Sequence, residues 1–255
     1  MMENKFIFLL LFIVNFTVGQ NFVVDYKIIP NKADKITNEM IESDLEMESN
    51  LKLVNLHLIY NEDEMKFYMD KVPESVNGNI GSSLFISDVQ GVYHRKNNSN
   101  DLYVEIEKYG DEEKFIIKKK FITDWKKTGE KKIICGYECL KADCILKVDF
   151  GENEIHVLYP ISAWYCPQIK YSYGPKGYGK LPGLILEVDE NFVSYVAEKV
   201  HNDKKEEVIS LPLNKKIITE SKMHDLMDTT ISIDLNKCES NAKKDEMMKV
   251  PNTKT

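Results

Sequence analysis

Apolar and polar residues alternate along most of this chain. Period-two stretches cover residues 22–28, 53–60, 64–69, 102–107, 115–121 and 131–142, and then 155–165, 184–188, 192–200 and 208–213. A two-residue period puts one set of side chains on one face of a pleated backbone, so each stretch predicts a β-strand. Turn-forming residues separate them: Asn61-Glu62-Asp63, Val76-Asn77-Gly78-Asn79, residues 97–100, and Asp189-Glu190-Asn191. Sparse helical periodicity over 33–48 and 221–227 predicts at most two peripheral helices. Residues 236–255 are lysine-rich with almost no large apolar side chain, which predicts a disordered tail. No repeat is visible. The pattern is that of a mainly β protein, a single antiparallel sheet forming one domain over residues 20–235.

One hairpin can be registered. A turn at Gly151-Glu152-Asn153-Glu154 sets Leu140, Ala142, Cys144, Leu146 and Val148 opposite Tyr165, Ala163, Ile161, Tyr159 and Val157. Both lists are apolar, and a slip of one residue would expose them. Pro160 and Gly136 are the places where a bulge would shift this register. Carried one step further, it opposes Cys139 and Cys166, at a separation that suits a disulfide. The competing reading keeps both thiols reduced, as buried residues or as ligands with Cys135 and His156 for copper or zinc on the face away from the apolar list. No CxxC pair or HExxH supports a metal. Five cysteines leave one unpaired; Cys144 reads as a buried free thiol, and Cys238 falls in the tail.

The N-terminus changes the picture of where the chain lives. Lys5 precedes an apolar run over 6–14 and a small-residue approach, Thr17-Val18-Gly19. That is the form of a secretory signal peptide over 1–19, too short in its apolar part to span a bilayer. The expectation is an exported, soluble protein of the periplasm or cell surface with no membrane span. A net charge of −7 argues against a nucleic-acid partner. Arg95 is the single arginine among 34 basic residues, so a site of arginine clamps is not expected.

The densest punctuation is GPKGYGKLPGLILE over 174–187, where four of the twelve glycines lie within ten residues. Pro182 and Gly183 predict a type II turn with Gly183 at its third position, feeding a buried strand. The stretch imitates a phosphate-binding P-loop for seven residues. Leu181 then replaces the metal-binding hydroxyl and Pro182 opposes the required helix. Trp164, Tyr165, Tyr171, Tyr173 and Tyr178 crowd the loop. With Gly174, Pro175, Leu181, Pro182, Gly183, Leu184 and Ile185 they form the candidate binding surface for a peptide, glycan or envelope partner. Catalytic signals are thin. There is no G-x-S-x-G elbow, the histidines are scattered, and among 41 carboxylates only Glu187, next to the loop, stands out for a hydrolase. No catalytic residue and no cofactor is assigned.

The order Trp125, Gly136-Tyr137-x-Cys139-x-Lys141-Ala142, Ala163-Trp164-Tyr165, Ile169, Gly174-Pro175 and Leu181-Pro182-Gly183-Leu184-Ile185 resembles the GLPGLI family of exported bacterial proteins. Lys180 stands where the family name has its first glycine, and Cys135 and Cys144 depart from the pattern. The resemblance implies a β-rich, partly open barrel-like or bowl-like fold from Gram-negative bacteria, similar to a module attached to a peptide:N-glycanase. It supplies no catalytic residue. The functional expectation is a non-catalytic binding or accessory scaffold. The alternatives are a hydrolase of glycans or peptides and a copper- or zinc-handling protein using Cys139 and Cys166.

Overall fold

The computed structural model describes residues 21–31, 47–72, 89, 91–106, 115–120, 124–150, 155–190, 192–202, 207–212, 214–219, 222 and 231–238. Among the described residues thirteen strands form one sheet. In chain order they are β1 (Phe22–Pro30), β2 (Leu56–Tyr60), β3 (Glu64–Met69), β4 (Val92–Lys96), β5 (Asp101–Ile106), β6 (Phe115–Lys120), β7 (Lys126–Ile134), β8 (Tyr137–Phe150), β9 (Ile155–Cys166), β10 (Leu184–Asp189), β11 (Val193–Asn202), β12 (Lys216–Thr219) and β13 (Ile231–Cys238). The spatial order is β12-β6-β5-β4-β3-β2-β1-β11-β10-β9-β8. Beyond β8, β7 pairs with one end of that long strand and β13 with the other. Every pairing is antiparallel except β12 with β6. The sheet is open, with β12 at one edge and β7 and β13 at the other.

The sheet curls around the glycine-rich segment. A Cβ on Gly177 would strike Leu102 of β5, and one on Gly174 would lie 2.8 Å from Cβ of Ile185 on β10. Those strands are six spacings apart in the sheet, roughly 29 Å if it were flat. Residues 174 and 177 can be no more than about 11 Å apart. The two halves must therefore fold toward each other with the loop between them. One buried cluster accordingly joins Tyr26, Leu58, Phe67 and Val104 to Ile161, Tyr165 and Leu186, with Tyr173 and Leu181 of the loop inside it. On the other face Val23 and Ile59 pack under Ile209.

The β8–β9 register is as expected, unbroken from Leu140↔Tyr165 to Phe150↔Ile155. Pro160 leaves it intact because β10 reaches only as far as Ser162 along β9; the missing N–H faces an unpaired edge. Several expectations are corrected. Residues 131–142 are not one strand: Cys135 (φ 51°) and Gly136 (φ 82°) form a two-residue turn between β7 and β8. Strand β4 escaped the pattern because its polar His94 and Arg95 are buried, at 4% and 3% exposure. Residues 208–213 alternate like a strand, yet those described form a strap whose Ile209 carbonyl faces the His94 ring. The strap ends near Pro212, which has no N–H to offer a ladder. Strand β13 extends to Cys238, into the segment expected to be disordered. Cys144 is disulfide-bonded rather than free. The leader over 1–19, the turn at 76–79 and residues 239–255 lie outside the described residues, as do both predicted helices apart from 47–48 and Lys222. No helix among the described residues is long and apolar enough to cross a membrane.

Candidate functional site

The loop between β9 and β10 is built to be packed. Trp125 donates its indole N–H to the Gly179 carbonyl at 2.8 Å, and Tyr178 donates its hydroxyl to Glu190 at 2.7 Å. Lys176 reaches the same carboxylate at 3.1 Å. The single arginine sits in this packing. Arg95 of β4 lies 5.2 Å over the Tyr173 ring and donates to the Ser172 carbonyl. Burial lowers its pKa to about 10, opposed only by Tyr173. Gly179 has no side chain because the guanidinium fills the space where one would be.

The turn at Pro182 is not type II. Gly183 N–H donates to the Leu181 carbonyl at 2.8 Å, closing three residues around Pro182, and Leu184 N–H goes to Ile169 instead. That is the tighter γ form, which the fixed φ of proline fits. Gly183 has φ +156°, and a Cβ there would overlap the Cys166 carbonyl.

Most of the predicted binding surface is therefore interior. Gly174, Pro175, Leu181, Gly183, Leu184, Ile185, Tyr165 and Tyr173 are buried. Pro182 is exposed at the turn, and Tyr178 is tied to Glu190. Trp164 lies apart, under Lys132, whose Nζ is 4.2 Å from the ring. Glu187 is held by that lysine at 2.6 Å.

Of the predicted residues, Tyr171 alone opens onto a cavity at the rim of the sheet. This cavity of about 420 Å³ lies at the rim, where β1 begins, β2 and β11 end, and the chain leaves β9. Phe22, Tyr60, Tyr137, Ile169 and Tyr171 supply its apolar wall; Gln168, Lys170, His201 and Asn202 supply polar groups. The rings support one another: Phe22 stacks on Tyr60 at 5.6 Å, Tyr60 meets Tyr171 at 5.2 Å, and Tyr171 stacks on buried Tyr173 at 6.5 Å. The loop thus acts from behind, through Tyr173, fixing the aromatic it presents. Sequence reasoning missed Phe22, Tyr60 and His201 because they come from strand ends far apart in the chain. His201 is oriented by Asp25 at 3.0 Å, and the other oxygen of Asp25 binds His57 at 2.8 Å, with Asp70 beyond at 3.1 Å.

The expected Cys139–Cys166 disulfide is not formed; both are buried free thiols, and Cys135 is a free, exposed one. The β8–β9 ladder stops at Leu140, and Cys139 Sγ–H points at the Tyr137 carbonyl, 3.6 Å away. Burial and the neighbouring Cys166 push the Cys139 thiol up to about 12. Both cysteines belong to the main core, not to a face away from it. Among the described residues no group of three His, Cys, Asp or Glu could hold a metal ion.

No curated protein matches the chain by sequence. Two solved structures of PNGF-II share its shape. In one, in space group C2, the TM-score is 0.50 at 18% identity, over 82% of this chain and 32% of that one. In the other, in space group P21, it is 0.52 at 16% identity, over 83% and 34%. The chain thus spans about a third of PNGF-II, and at these identities the likeness is one of fold alone. Residues 147–187, which carry the end of β8, all of β9, the packed loop and Tyr171, match the model of a family described as a protein of unknown function, Porph_ging.

Proposed function

We propose that this protein is an exported binding module that takes a glycan segment into the rim cavity, with Tyr171 and Tyr137 as stacking surfaces. The observation that carries the reading is an aromatic wall, braced from behind, with amide groups at its mouth and no carboxylate among the described lining residues. Aromatic faces pack against the C–H faces of sugar rings, while Gln168 and Asn202 can pair with hydroxyls. The hydrolase alternative needs two carboxylates about 5–10 Å apart across a cleft. Glu187 is instead salt-bridged to Lys132 and does not line the cavity.

The test is a screen of envelope oligosaccharides by calorimetry or ligand-observed NMR. Tyr171→Ala should weaken binding by about ten-fold, the equivalent of 1.4 kcal/mol, and Trp164→Ala should leave it unchanged. Binding lost only with Trp164→Ala would move the site to the surface of β9 beside Lys132 and overturn the reading. Retention of extended peptides with no sugar bound would replace glycan by peptide as the ligand.

A further inference from the structure

We infer that the cavity selects an acidic sugar residue, its carboxylate held by Lys170 while its ring lies on Tyr171. This rests on the glycan-binding reading and narrows it. The chain carries a net charge of −7, yet none of the described residues lining the cavity is an aspartate or a glutamate. Asp25 of β1 is engaged by His57 at 2.8 Å and, at 3.0 Å, by His201, which itself lines the cavity. Lys170 is exposed at the mouth, adjacent in sequence to Tyr171, and its ammonium makes no ion pair or hydrogen bond among the described residues. Other lysines beside aromatic rings are spoken for: Lys132 by Glu187 and Lys176 by Glu190.

A cation with no partner among the described residues, at the edge of an aromatic surface whose described lining carries no carboxylate, matches a ligand with an apolar ring face and one carboxylate. A hexuronic acid unit has both. A neutral hexose would leave the ammonium to water, which costs nothing, so the discrimination comes from the attraction added by the acid. For an exposed pair that attraction is modest and sensitive to salt.

The experiment compares trigalacturonic acid with its methyl ester, which keeps the rings and removes the charge, by titration calorimetry at low and high ionic strength. The acid should bind roughly five-fold more tightly than the ester at low salt, and the gap should close at high salt. Lys170→Gln, at an exposed position, should close the gap as well. Equal affinity for acid and ester would overturn the acidic preference and leave the glycan reading standing. A gap that survives Lys170→Gln would remove Lys170 from the role. Failure of both ligands to bind, while neutral oligosaccharides of other composition do, would overturn the inference; failure of all sugars would take the glycan reading with it.

Discussion

At the scale of single residues, Gly183 and Lys180 show how one motif holds two different demands. Gly183 has both a positive φ and a backbone oxygen where its Cβ would sit. A carbonyl cannot rotate away as a flexible side chain can. Backbone strain of about 1–2 kcal/mol adds to an overpacking cost of about 1–3 kcal/mol. Gly183→Ala should therefore lose roughly 2–5 kcal/mol in urea unfolding. Lys180 has φ 65° and is exposed. A side chain on a left-handed backbone crowds the following carbonyl, so this position is strained. Lys180→Gly should gain about 0.5–1 kcal/mol, the relief of strain less the entropy of a freer unfolded chain. A neutral Gly183→Ala, or a destabilising Lys180→Gly, would show that this turn is shaped otherwise.

At the scale of elements, the β7–β8 hairpin separates turn strain from packing. Gly136 has φ 82° but nothing within 4 Å of where a Cβ would lie. Its neighbour Cys135 tolerates φ 51° while its Sγ–H donates to the Ala197 carbonyl at 3.1 Å. Two successive positive φ values are those of a type I′ turn, whose twist suits the strands it joins. Gly136→Ala should cost only the backbone strain, about 1–2 kcal/mol, clearly less than Gly183→Ala, with the β8–β9 register unchanged by hydrogen exchange. A penalty equal to that of Gly183→Ala would mean that the hairpin tip packs more closely than its geometry shows. The alternation announced most of these strands. It could not divide 131–142, because a two-residue turn with apolar flanks interrupts the period too briefly to be seen.

At the scale of the whole molecule, His94 fastens the strap to the sheet. Its Nδ1 faces the Ile209 carbonyl at 3.0 Å and its Nε2 faces Glu105 at 2.7 Å, with Lys215 on the other oxygen of that carboxylate. Burial lowers its pKa below the usual 6.5, against the opposing pull of Glu105. In the window below 6.5 the unfolded chain thus takes up the proton more readily than the folded one. Stability from this group is present above that pH and is lost as the pH falls toward the folded pKa. The urea midpoint should drop on acidification through this range, and His94→Gln should flatten the drop. A midpoint that rises instead would mean that His94 is the charged partner of Glu105.

Most of the strands, the β8–β9 register and the dominance of antiparallel pairing were legible in the sequence, because alternation and turn chemistry are local, whereas β4, β12 and β13 were not. What the GPKGYGKLPGLI segment is for was not legible. It reads as an exposed recognition loop until the sheet curls over it, burying Gly174, Gly177 and Gly179 against Ile185, Leu102 and Arg95. The cavity was hidden for the same reason, since Phe22, Tyr60, Tyr137, Tyr171 and His201 meet only when β1, β2, β8, the β9–β10 connection and β11 converge at one rim. Local periodicity encodes which residues face a core. Which cores close on which loops is set by the curvature of the entire sheet, and that is a property of long-range packing alone.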